Sequence, residues 1–207
     1  MRSTDLPTLE LESPTDDNSL LQQQLLERGM ISDELASSEL LDQFGASDTG
    51  QSALRHILAG DATGGCHHLP TLLALGVENG YVQVSSRFYE STSQKTVEQQ
   101  RRDNRSQQKF RGNGIFKAKI VEYVDRDGSI ARKAGDGSMF FPNEWSTETV
   151  IEAILEVATR PAQVEISSRL DADSEYIIHT GEYAGVALKV VLRKQDGKII
   201  SSFPIRK

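Results

Sequence analysis

Apolar positions along the chain change their period once, from helical to alternating, and that change divides it. In NSLLQQQLLERG, Leu20, Leu21, Leu25 and Leu26 recur at helical spacing, and Gly29 ends the run. SDELASSELLDQFG repeats the pattern, with Ser32 as N-cap, Leu35, Leu40, Leu41 and Phe44 as the apolar face, and Gly45 as the stop. A third helix is expected over residues 51–58, and LPTLLALGV adds a short fourth. From Tyr81 the period falls to two. YVQVSSRFYE, GIFKAKIVEYVD and SIARK read as strands, as do AQVEISSRL, SEYIIHT, GVALKVVLRK and KIISSFPIR, with Asp196-Gly197 a hairpin turn. Between the two groups of strands, NEWSTETVIEAILEVAT predicts an amphipathic helix with Val150, Ile151, Ile154 and Val157 inward. Helices first and antiparallel strands afterwards predict an α+β fold.

Two stretches lack a core pattern. Residues 1–17 hold Ser, Thr, Asp and two prolines with little to bury, the composition of a disordered tail. Residues 90–112 are a Gln/Arg-rich insertion, expected to be a mobile loop or an exposed helix.

Composition narrows the class. A chain of 207 residues is one domain with an appendage, or two small ones. Its mean hydropathy of −0.42 is polar. The single cysteine, Cys66, excludes an intrachain disulfide framework and a Cys-rich zinc module. No run approaches the roughly 18 apolar residues of a membrane span, and the acidic N-terminus lacks the apolar core of a secretory signal. A cytoplasmic protein is expected, or a delivered or secreted effector domain whose export signal lies elsewhere. A net charge of −7 argues against non-specific coating of nucleic acid. Its distribution is uneven: residues 1–60 carry three Lys/Arg against eleven Asp/Glu, and residues 87–133 twelve against six. An acidic head before a basic middle is compatible with a small RNA-binding surface.

The chemistry concentrates in Arg55–His68, RHILAGDATGGCHH, which holds three of the four histidines. His56 falls near the end of the third helix. Gly60 and Asp61 stop that helix, and Gly64-Gly65 permit backbone conformations closed to residues with a Cβ. The chain can therefore return and bring His67 to His56, two imidazoles able to act as general base and general acid near neutral pH. A metal site of His56, Cys66, His67 and His68 is the alternative, weakened because adjacent residues rarely face one ion. Lys133 and Ser138 flank a glycine-containing loop, where a lysine could neutralise charge developing on a phosphorane. Ser201 and Phe203 alternate on one face of the last strand, with Ile199, in a pattern suited to stacking on a base and touching its edge, or to simple core packing. His179 reads as structural.

These pieces resemble the EndoU-type endoribonucleases, in particular the bacterial members that occur as toxin domains. The matching segments are HILAGDATGGCH, GIFKAKIVEY, Lys133 with the SMFFP-x-x-W that follows, and GKIISSFP, together covering about residues 50–205. By this resemblance His56 and His67 are the catalytic histidines and Lys133 completes the triad, with Lys117 and Lys119 as its substitutes. His68 is a neighbour of the catalyst. Gly65, Ser138, Ser201 and Phe203 would bind substrate, Phe203 standing where the family usually has tyrosine, so that the stacking face is kept and the hydroxyl lost.

The resemblance implies two antiparallel sheets with flanking helices in a nuclease domain at 49–207, preceded, on the patterns above, by a tail at 1–17 and a helical region at 18–48. It also implies an endoribonuclease cleaving single-stranded RNA with uridine preference, through 2′-OH attack to a 2′,3′-cyclic phosphate and a 5′-OH end. No metal is required, manganese being at most a stimulant. DNA and membranes are not expected partners, and an immunity protein is expected if the chain is a toxin domain. A non-catalytic RNA-binding homologue and a zinc-dependent hydrolase are the alternatives.

Overall fold

The computed structural model describes residues 14–46, 52–60, 65–76, 83–84, 114–118, 122–124, 130–132, 138–168 and 175–205. The N-terminal residues 1–13 and the insertion at 90–112 lie outside the described residues.

The α+β class is as predicted. Helix α1 (Pro14–Glu27) starts ahead of the leucine pattern, with proline in the first turn, where its missing N–H costs nothing. Leu21 and Leu25 lie on one face and are fully buried, each contributing about 1.5–3 kcal/mol by leaving water, while Leu20 stays exposed. At Gly29 (φ +62°) the chain reverses. Ser32 caps α2 (Asp33–Ala36), its Oγ accepting from the Leu35 N–H at 3.2 Å. The single second helix expected from periodicity breaks here. The Ser37 and Ser38 hydroxyls donate to the carbonyls of Asp33 and Leu35 at 2.7 Å, side-chain bonds that compete with helix propagation. A short 3₁₀ turn follows at Glu39–Gln43, burying Leu41 and leaving Leu40 outside.

Helices α3 (Ala53–Leu58) and α4 (Leu69–Gly76) complete the helical half. Among the described strands, β1 (Gln83–Val84), β3 (Glu122–Val124) and β4 (Ile130–Arg132) form one antiparallel sheet in the order β1-β3-β4. β2 (Phe116–Ala118) pairs with β5 (Ser138–Phe140), a strand that its three-residue length hid from the periodicity. The third sheet runs β6-β7-β8-β9: Gln163–Ser168, Glu175–Tyr183, Val186–Arg193 and Ile199–Pro204.

Helix α5 (Thr147–Thr159), capped by Ser146, buries Val150, Ile151, Ile154 and Val157 to 1% exposure or less, as its pattern predicted. It lies on the sheet face that carries Leu188 and Val190. Gly181 makes the approach possible, since a Cβ there would sit 2.9 Å from a Val157 methyl. His179 is structural: its Nδ1 lies 2.8 Å from the Ala158 carbonyl. Gly197 (φ +68°) makes the β8–β9 turn. Pairing slips between Val191 and Leu192, so Ile199 stands opposite Leu192. It leaves the Ser201–Phe203 face on which strict alternation puts it and enters the core at 1% exposure.

A single hydrophobic cluster joins α1, α3, α4, α5 and the last sheet. The Gly45 N–H also donates to the Ile199 carbonyl at 2.9 Å, tying the N-terminal helices to the last strand.

Candidate active site

Of the six residues of α3, five are buried and His56 alone is half-exposed. The helix is capped by Ser52, whose Oγ accepts from the Arg55 N–H and also bonds the Asn18 side chain of α1. Arg55, almost wholly buried, reaches Gln24 of α1 at 3.4 Å. His56 therefore sits on a short helix held from behind by the N-terminal one. Sequence reasoning missed these supports; an arginine inside the apolar run of Leu54, Ile57 and Leu58 was the available signal.

Gly60 (φ +72°) ends α3, its N–H donating to the Arg55 carbonyl at 2.9 Å. The chain then returns against the helix end. The Cys66 N–H donates to the His56 carbonyl at 2.9 Å, and the His67 N–H to the Ile57 carbonyl at 2.8 Å. Two carbonyls that a helix C-terminus leaves without intrahelical partners are thereby satisfied, and the same bonds fix His67 beside His56. Gly65 makes this contact at φ +64°, and a Cβ there would lie 1.8 Å from the His56 carbonyl oxygen and 3.0 Å from its ring. Only glycine fits. Cys66 follows at φ +64°, a conformation costing about 1–2 kcal/mol in a residue with a Cβ, and its side chain is fully buried.

Strand β5 clamps the turn from the other side. The Phe141 N–H donates to the His67 carbonyl at 2.7 Å, and the His67 Nδ1 lies 2.7 Å from the Met139 carbonyl. A carbonyl can only accept, so Nδ1 carries the proton in the neutral ring and proton transfer falls to Nε2. Ser138 donates through Oγ to the Gly65 carbonyl at 3.4 Å. The Phe203 ring, half-buried at the end of β9, stands 5.8 Å from the His67 ring and tilted by 41°. Ser201 shares its face of the strand, and Ser202 points the other way, fully buried, with its Oγ donating to the Lys189 carbonyl at 2.9 Å. The fold thus gathers His56, Gly65, His67, Ser138 and Phe203 around one turn, with Ser201 next along the strand. Lys133 and Lys119 lie outside the described residues, and Lys117 pairs across β2–β5 with Met139.

His68 has a separate place. It is fully buried, with Nε2–H donating to the Trp145 carbonyl at 3.0 Å and Nδ1 accepting from the Thr71 hydroxyl at 2.7 Å. Thr71 in turn meets the Thr147 hydroxyl at 2.8 Å. Burial pushes the His68 pKa down to about 4, against the opposing pull of the Trp145 carbonyl, so the ring is neutral at physiological pH. Among the described residues no three His, Cys, Asp or Glu side chains group so as to hold a metal ion, and Cys66 points into the core.

A family model for bacterial EndoU nucleases matches residues 50–206. The chain belongs to the bacterial EndoU nuclease family. No curated protein and no solved structure matches it. All the candidate residues of this EndoU nuclease fall inside the matched span, whereas α1, which packs against α3, precedes it together with α2 and the 3₁₀ turn. Among the described residues, no helix of the nuclease is long and apolar enough to cross a membrane.

Proposed function

We propose that this nuclease cleaves single-stranded RNA endonucleolytically, with a preference for uridine, using His56 and His67 as the acid–base pair. The observation that carries the reading is the anchoring of His67. Its Nδ1 is held on a backbone carbonyl, its ring lies beside an aromatic able to stack on a base, and its backbone is bonded to the helix that bears His56. An imidazole whose Nδ1 is fixed on a carbonyl has its tautomer and orientation set, as general acid–base catalysis needs.

One histidine takes the proton of the ribose 2′-OH as that oxygen attacks phosphorus. The P–O5′ bond breaks as the other histidine protonates the leaving oxygen, giving a 2′,3′-cyclic phosphate and a 5′-OH. Lys133 is proposed to balance charge on the non-bridging oxygens. Phe203 stacks on the uracil, and Ser201, Ser138 and the Gly65 backbone hold the nucleotide. No metal enters these steps, and manganese would at most stimulate. A toxin role, with an immunity protein as partner and delivery to another cell, accompanies this reading.

The nucleophile gives the test. An oligonucleotide with a single uridine should be cut in excess chelator, and the same oligonucleotide with 2′-deoxyuridine at that position should not. Equal cleavage of both would contradict 2′-OH attack.

A further inference from the structure

The face of the last sheet turned away from α5 carries a cation that the reaction above does not use. Lys189 of β8 pairs directly with Phe203 of β9 and, on its other side, with Thr180 of β7. Residues opposite one another in antiparallel strands project to the same side with Cβ atoms about 4.5–5.5 Å apart, so Phe203, Lys189 and Thr180 form a row across three strands. Ser201 and its partner Val191 make the next row. The alternate residues Leu188 and Val190 are fully buried against α5, which leaves Lys189 half-exposed on the side of Phe203. Arg193, on the same face, is tied to Asp196 at 2.9 Å and to the Ala46 carbonyl. Among the described residues no carboxylate pairs with the Lys189 ammonium.

The order of strands decides what this lysine can reach. β9 is the edge of the sheet, and His67 meets it at Phe203. Lys189 stands one strand further in, about 4.8 Å across the sheet from Phe203, the residue that meets the His67 ring. A phosphate held for cleavage by His56 and His67 therefore lies on one side of the stacked base, and Lys189 lies on the other.

We propose that Lys189 binds a phosphate of a neighbouring nucleotide, so that Phe203, Lys189 and Thr180 form a second subsite leading the RNA strand across β9, β8 and β7. The subsite rests on the reading of the protein as an RNA-cleaving enzyme and extends it: affinity for RNA would grow with length on one side of the cut. An ammonium on an unbranched stem suits this role, since it meets a phosphate as a point charge and leaves the base unread.

The test compares wild type with Lys189→Gln and Lys189→Arg on two substrates: a uridine dinucleotide without flanking phosphates, and a longer single-uridine oligonucleotide. On the longer RNA, Lys189→Gln should raise KM about fivefold to tenfold with kcat unchanged, and Lys189→Arg should retain most of the wild-type KM. The salt dependence of log KM should fall by about 0.7, the share of one single-strand phosphate contact. On the dinucleotide the glutamine variant should match wild type. Unchanged KM and salt slope on the longer RNA would overturn the subsite, and so would equal losses on both substrates. Binding of the non-cleavable 2′-deoxyuridine oligonucleotide, read by fluorescence anisotropy, separates the two claims. A wild type that binds it but fails to cleave the all-ribose oligonucleotide would refute the catalytic reading, and a wild type and glutamine variant of equal Kd would refute the subsite.

Discussion

His67 and His68 are neighbours in sequence and opposites in environment. His67 is half-exposed, anchored by one nitrogen to Met139 and set against Phe203. His68 is fully buried, has both nitrogens engaged, and is held neutral by desolvation. His67 faces Phe203 at the end of β9, whereas His68 faces the seam between α4 and α5. The lesson is that the type of residue does not assign a role. A half-exposed histidine anchored through Nδ1 leaves proton transfer to its other nitrogen in the proposed reaction, whereas one buried with both nitrogens satisfied joins elements together.

The sharpest break in that comparison is the pair of alanine variants. His67→Ala should lower cleavage by about 10²–10⁴ while leaving thermal unfolding near wild type. His68→Ala should do the reverse, costing about 2–4 kcal/mol of stability by opening a void and stranding the Trp145 carbonyl and Thr71 hydroxyl, with kcat largely kept at temperatures where it is folded. Thermal melts and single-turnover rates of the two proteins would exchange these assignments if they are wrong. Gly65→Ala comes next. Its Cβ has no room beside the His56 carbonyl and its φ is positive, so both activity and stability should fall, the latter by about 2 kcal/mol or more. A folded, fully active Gly65→Ala would show that the turn can relax.

Acid titration separates the sites again. The folded His68 pKa of about 4 lies below its ordinary 6.5, so the unfolded chain binds the extra proton first as pH falls. The stability His68 contributes is thus complete above pH 6.5 and lost progressively down to about pH 4, about 3 kcal/mol in all. Denaturant unfolding across that window should show the decline in wild type and a shallower one in His68→Gln. The smallest effect belongs to Phe203→Ala, which should raise KM or relax base preference by about 1–3 kcal/mol of stacking without slowing the bound reaction. Unfolding of that variant would make Phe203 a core residue instead.

The regular parts of this molecule were legible because they repeat. The amphipathic period of α5 and the alternation of the last strands each span enough residues to declare a face, and the glycines around His56 and His67 foretold the returning turn. What stayed hidden depends on partners distant in sequence or on single hydrogen bonds. Ser37 and Ser38 break a helix that periodicity alone continues, and β5 is too short to show a period. The slip that takes Ile199 into the core, the Met139 carbonyl that orients His67, and the register that sets Lys189 opposite Phe203 all arise from long-range pairing. Arg55 and Ser52, bonded to Gln24 and Asn18, make α1 a support of the His56 helix, which charge counting along an acidic head gave no reason to expect.

The most direct test of the account is to digest a single-uridine RNA in excess chelator and weigh the product ends, with wild type and His67→Ala side by side. The account predicts a 2′,3′-cyclic phosphate on the uridine and a 5′-OH on its neighbour with wild type, and neither with the variant. Cleavage that requires added metal, or that survives in His67→Ala, would contradict it.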